Sequence, residues 1–101
     1  MEIKMEGRQV DLGDPIKDKI TERFKNLDKR FGPITHARLS VEKKAHNNDQ
    51  RAEVKAVVNI TGSTITAKKE MPTVLQAVNE TLDTLTLELK SHVEKTRKSH
   101  R

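Results

Sequence analysis

The sequence predicts an α+β fold in the order β-α-β-β-β-α: a four-stranded mixed sheet with two helices packed on one face. Three observations predict it. Apolar residues recur every three or four positions over 16–31 and again over 71–93, as one face of a helix requires. They alternate with polar residues over 2–6, 34–42, 52–60 and 64–68, as half-buried strands require. Gly, Pro, Asn or Asp stands near most changes of period.

Each element follows in turn. Ile3 and Met5 share one side of a short strand that Gly7 closes, and the segment from Asp11 to Asp14 reads as a turn. Asp14 is the expected cap of a helix beginning at Pro15, with Ile16, Ile20, Phe24, Leu27 and Phe31 on its apolar face and Gly32-Pro33 as its stop. Ala37, Leu39 and Val41 then alternate with Arg38, Ser40 and Glu42, and the polar run Lys43 to Gln50 reads as a loop. Val54, Ala56, Val58 and Ile60 form the inward side of the next strand, which Thr61-Gly62-Ser63 turns into a last strand from Thr64 to Lys68. The long final helix carries Met71, Leu75, Val78, Leu82, Leu85, Leu89 and Val93 as one stripe, with Pro72 in its first turn. The first two strands, joined by a helix, are expected to pair in parallel and the next two to follow antiparallel. That arrangement leaves Arg38, Ser40, Glu53, Lys55, Asn59, Thr64 and Thr66 on a face open to water.

Composition narrows the function. A chain of 101 residues is expected to form one domain, 1–101, with a thin core, since hydrophobic residues are 33% and aromatic ones 2%. With no cysteine, disulfides and thiolate metal sites are excluded and a reducing compartment is expected. No apolar run approaches the roughly 20 residues of a membrane span, and residues 1–10 lack a secretory apolar segment, so a cytoplasmic protein is expected. A net charge of +5 and a pI near 9.6 favour a polyanionic partner.

The arrangement of charge sharpens that reading. Lys19, Arg23, Asn26 and Arg30 fall on one border of the first helix, with Lys25 and Lys29 further round; Lys90, Arg97 and Arg101 share a border of the last. Lys95 and Lys98 add to its basic end, where cations favour the helix dipole. Two helices side by side would thus present basic rails to a phosphate backbone. Charged borders are also what ordinary soluble helices show, so the pattern alone does not choose between the two. No Tyr or Trp is present and both Phe lie on the core stripe, which disfavours single-strand stacking and favours recognition through shape and backbone. His36, His46, His92 and His100 are scattered without ligand spacing, glycine-rich phosphate loops are missing, and neither an enzyme, a cofactor nor a metal is expected.

Several motifs, taken in order, carry a resemblance: the opening strand Ile3 to Gly7, Arg23-Phe24-x-x-Leu27, Val41-Glu42-Lys43 followed by His46, the Gly62 turn with Ile65 and Ala67, and Ala77-Val78 leading to Asp83. Almost end to end, the chain resembles the short form of the ribosome hibernation promoting factor and ribosome-associated inhibitor family, also called sigma-54 modulation proteins. The resemblance implies a domain similar to double-stranded RNA-binding domains, seated on small-subunit rRNA in the decoding channel, where it blocks mRNA and tRNA and silences translation in stationary phase or stress. Arg23, Lys43 and Lys95 match basic positions of the family, and Lys25, Lys90, Arg97 and Lys98 lie close to such positions. Together with Lys19 and Arg30 from the first-helix border, these are the expected rRNA-binding residues. Asn26, Thr84, Leu87 and Val93 depart from the pattern, standing where close relatives carry Lys or Arg. The length points to the short hibernation-promoting subtype, without a C-terminal dimerisation domain, monomeric off the ribosome and able to work with a separate ribosome modulation factor. Two other classes stay open at this stage: a protein-interaction module that modulates a transcription factor through the open sheet face and Leu87, and a generic double-stranded RNA-binding domain.

Overall fold

The computed structural model describes residues 1–46 and 49–98, with the backbone alone at 46, 49 and 96–98. Six elements follow in the expected order: β1 (Glu2–Arg8), α1 (Asp14–Phe31), β2 (Ile34–His46), β3 (Asp49–Ile60), β4 (Ser63–Met71) and α2 (Val74–Lys98). They form one sheet of order β1-β2-β3-β4, parallel between β1 and β2 and antiparallel elsewhere. The alternation of apolar residues explains why the strands lie as they do. Ala37, Leu39 and Val41 of β2 and Val54, Ala56 and Val58 of β3 are buried under the helices, while their polar neighbours face the other way.

α1 packs over β1 and β2, and α2 over β3 and β4. Phe24, Ile20 and Leu27 from α1 meet Val78, Leu82, Leu85 and Leu89 from α2 in a single core. Leu12, in the connection ahead of α1, is also buried there. Thr81 is the one buried polar residue among those described; its hydroxyl donates to the Ala77 carbonyl at 2.7 Å and approaches that of Val54 at 3.4 Å. That buried hydroxyl is satisfied and ties α2 to β3. Among the described residues no helix is long and apolar enough to cross a membrane.

The structure revises four local expectations. The run Lys43 to Gln50 is not a loop: β2 and β3 continue as a two-stranded ribbon, pairing Lys43 with Ala52, Ala45 with Gln50 and His46 with Asp49. Its polarity suits a ribbon that extends past the end of β1 at Arg8 and of β4 at Met71 and so has water on both faces. Asn47 and Asn48, at the centre of the expected loop, lie outside the described residues. Asp14 is not the cap of α1: Gly13 holds that position, its carbonyl accepting from the Ile16 and Lys17 N–H groups, and Asp14 sits in the first turn.

α2 begins after Pro72, not around it, and Met71 belongs to β4. Thr73 is its cap, with its hydroxyl accepting from the Gln76 N–H at 3.2 Å while the Gln76 side chain reaches back to the Thr73 hydroxyl. Leu75 is 49% exposed and off the core stripe; Val74, Ala77 and Thr81 take the inward positions instead. The stripe therefore starts one residue earlier than the leucine spacing suggests.

Candidate nucleic-acid interface

The two helices run side by side in the same direction, so each turn of α1 meets a turn of α2. Arg23 reaches Asp83, Arg30 stands across from Leu87, and Phe31 lies near His92 and Val93. Between them runs a surface groove of about 630 Å³, with Arg23, Asn26 and Arg30 on one wall and Asp83, Thr86 and Leu87 on the other. The i, i+4, i+7 spacing of α1 delivers this edge, because such residues stack on one side of a helix. Lys19 continues the edge one turn earlier and is exposed.

The groove is less basic than its α1 wall alone suggests. The Arg23 guanidinium donates to the Asp83 carboxylate at 2.8 Å, an ion pair between residues 60 apart in sequence. Asp18 and Glu22, on α1 itself, make no such contact with Arg23. Arg30 lies over the Phe31 ring at 4.9 Å from its centroid, which fixes the direction of its guanidinium without consuming its charge. Leu87 is 67% exposed on the facing wall.

The other expected binding residues are spread along the molecule. Lys25 lies on α1 away from the groove, as its spacing from Phe24 and Leu27 requires. Lys90 and Lys95 are exposed on the last turns of α2, beyond Leu89, the last fully buried residue among the described side chains of that helix. Arg97 and Lys98 extend the same helix, where only their backbone is described; Arg101 lies outside the described residues. Lys43 stands apart. It sits on the ribbon beside Pro72, Thr73 and Val74, at the start of α2, and so roughly 30 Å along that helix from Lys95. The expected set thus resolves into a helix-side group (Lys19, Arg23, Arg30, with Lys90 and Lys95 at one end) and the outlying Lys25 and Lys43. Lys19, Lys25, Arg30, Lys43, Lys90 and Lys95 form no ion pair with any described residue.

Departures from expected basic positions have a structural counterpart. Asn26 and Leu87 both line the groove, and the half-buried Val93 packs beside Phe31, Pro33 and Ile60 at its far end. Between Arg23 and Arg30, Asn26 on one wall and Leu87 on the other thus add no charge to the groove.

The open sheet face holds charges that sequence spacing did not connect. Glu53 accepts from Lys44 at 2.9 Å and lies 3.5 Å from Lys68, so two strands converge on one carboxylate. The Lys44 hydrogen bond, opposed by partial burial, holds the Glu53 carboxyl below the usual value of 4.5; its counterpart raises the Lys44 ammonium above 10.5. Arg51 lies 3.5 Å from Glu70 on the same face. Each contact joins a residue to the diagonal neighbour of its cross-strand partner, a relation that becomes legible only once the register is known. Among the described residues, no group of three His, Asp or Glu side chains could hold a metal ion.

Comparison with known proteins adds to this geometry. Residues 3–97 match the family described as sigma 54 modulation protein / S30EA ribosomal protein. A ribosome hibernation promotion factor of Deinococcus radiodurans is 27% identical over 88 residues, covering 86% of this chain and 46% of its own length. The chain thus spans about half of that relative. A ribosome hibernation promoting factor of Pseudomonas putida is 27% identical over 97 residues, covering 94% of this chain and 89% of the relative. A solved structure of a ribosomal subunit interface protein from Coxiella burnetii shares the fold, with a TM-score of 0.73 at 22% identity over 93% of this chain and 99% of that one.

Proposed function

Because the chain belongs to the sigma 54 modulation protein / S30EA ribosomal protein family, we propose that it is a ribosome hibernation factor. It acts in the cytoplasm, binding the small subunit through its rRNA in the decoding channel and holding ribosomes idle by excluding mRNA and tRNA in stationary phase or stress. The observation that carries this reading is the family match over 3–97, which spans both helices and all four strands. The helix side supplies the chemistry. Lys19 and Arg30 on one edge and Lys90, Lys95, Arg97 and Lys98 toward the end of α2 offer cations to phosphates, while Arg23 reaches RNA by exchanging Asp83 for a phosphate oxygen. Lys25 and Lys43 serve as outlying contacts on separate RNA segments.

Binding of this kind releases counterions, so log K falls with log salt by about 0.7–0.9 per phosphate contact. Sucrose-gradient sedimentation with ribosomes across a salt series tests the proposal. Co-migration with the small subunit that mRNA and initiator tRNA displace is the expected result, and its slope gives the number of contacts. Failure to co-migrate even at low salt would overturn it. Comparable affinity for an arbitrary RNA duplex, without competition by ribosomes, would instead mark generic duplex binding.

A further inference from the structure

Sheet register sets several like charges directly opposite one another on the open face. One row runs Arg8, Glu42, Glu53 and Glu70, with three acids side by side, and Lys44 stands opposite Arg51 in the row beside it. On the other side of the acidic row, Glu6, Ser40, Lys55 and Lys68 face one another across all four strands, followed by Lys4, Arg38, Val57 and Thr66. Like charges placed directly opposite destabilise a sheet unless something answers them. The acidic row is answered: Lys44 and Lys68 hold Glu53, and Arg51 holds Glu70. At the β1 edge, Arg8 lies 3.6 Å from Glu6 and Lys4 lies 3.8 Å from Glu2.

Two cations are left over. Arg38 and Lys55 are exposed and form no ion pair with any described residue, although they lie near the middle of the sheet. Ser40 stands directly opposite Lys55, and Arg38 occupies the diagonal, about 7–8 Å away at the backbone. These three line a concavity of about 400 Å³ floored by the sheet. Of the acids that line it, Glu53 and Glu6 are occupied by neighbouring cations; Glu42, the other diagonal neighbour of Lys55, stands opposite Glu53 and Arg8 and forms no ion pair with a described residue. Neither cation is held by a hydrogen bond or an ion pair to a described residue, so neither charge is tied to the sheet by a partner of its own.

We propose that Arg38, Ser40 and Lys55 form a second contact for an RNA phosphodiester backbone, on the face opposite the helices. This rests on the ribosome-binding reading above. The smallest extent of the molecule is 17 Å, so one domain can be held between two RNA segments, one against the helix groove and one against the sheet. Phosphate is the group that two cations and a hydroxyl suit, with ionic hydrogen bonds from Arg38 and Lys55 and a neutral one from Ser40.

The test measures the salt slope of ribosome binding for the full chain and three double variants: Arg38→Gln/Lys55→Gln on the sheet, Lys19→Gln/Arg30→Gln on the helix edge, and Lys17→Gln/Lys69→Gln as a control of equal charge. The sheet pair is expected to lower the slope by about 1.4–1.8, in addition to the helix pair, with the control unchanged. An unchanged slope for the sheet pair, or an equal fall in the control, would overturn the proposal even if the parent chain binds. If the parent itself shows no ribosome binding, the function proposed above fails and this site falls with it. Because the chain has no cysteine, single labels at Thr66→Cys and Asn26→Cys can carry a radical-generating iron chelate. Cleavage of two different rRNA segments is expected; a Thr66 probe that cleaves none would sink the two-sided contact.

Discussion

The helix groove and the open sheet face carry similar kinds of charge but dispose of them differently. In the groove the Arg23–Asp83 pair bridges two elements, while Lys19 and Arg30 on the same edge form no ion pair with any described residue. On the sheet, Glu53 draws lysines from β2 and β4 at once, leaving only part of the face cationic. Helical spacing concentrates like charges along one border and leaves their neutralisation to whatever packs alongside. Strand register instead places candidate partners at every diagonal, so a sheet neutralises itself by default. An unpaired cation on a sheet is thus the more informative observation.

The largest expected effect removes both faces together. Phe24 is fully buried between α1 and the rest of the core, and Phe24→Ala is expected to cost about 3–5 kcal/mol, measured by denaturant unfolding. If it left stability intact, the single core that positions both faces would be misassigned.

Next come changes within the groove. Leu87→Lys adds a cation to the groove wall that faces Arg30, and is expected to raise the salt slope of ribosome binding by about 0.7–0.9. Since Leu87 is 67% exposed, the same substitution should change stability by less than about 0.5 kcal/mol. Asp83→Asn separates a structural pair from an attenuating one. If Asp83 competes with phosphate for Arg23, binding tightens and its slope rises by up to about one contact. If the pair only orients the helices, the thermal midpoint falls and binding does not improve.

The smallest effect belongs to the sheet face. Glu53 has a lowered pKa, so its contribution to stability is present above its unfolded value of about 4.5 and is lost as pH falls through the folded value below that. The raised pKa of Lys44 works at the other end. Its contribution is complete below 10.5 and is lost as pH rises through the higher folded value. Glu53→Gln is accordingly expected to lower the thermal midpoint by roughly 1–4 °C at pH 7 and by less at pH 3.5. Equal losses at both pH values would mean that packing, not charge, makes Glu53 matter.

Much of the fold was legible because its signals are local. The change from a period of two to one of three or four located all six elements, with the ends of β2 and β4 and the starts of β3 and α2 each misplaced by a few residues. Gly32-Pro33 marked the end of α1, and a side chain at Gly32 would indeed run into the Asp28 carbonyl. Gly62 adopts a φ of 78° in the turn between β3 and β4, as the sequence there suggested. The ribbon at 43–46 and 49–51 was not legible, because residues with water on both sides need no apolar alternation to pair. Leu75 misled for a related reason: a leucine at helical spacing counts toward a stripe until packing shows which side of the helix faces the sheet. For the candidate site, Lys19, Arg23, Asn26 and Arg30 were legible as one edge, since a single helix places them.

By itself, then, the sequence determined the order of elements, the apolar faces that force two helices onto one side of a four-stranded sheet, and which helix border is basic. Each depends on residues within about four positions of one another, where backbone geometry alone fixes direction. Only the tertiary structure decided that Arg23 is held by Asp83, that the Asp28 carboxylate accepts from the Ile34 N–H at 2.8 Å across the α1–β2 corner, and that Arg38 and Lys55 find no ion-pair partner among the described residues. Those outcomes depend on which strands are neighbours and in what register, and pairing between distant segments is settled by the core as a whole, not by any one stretch of chain.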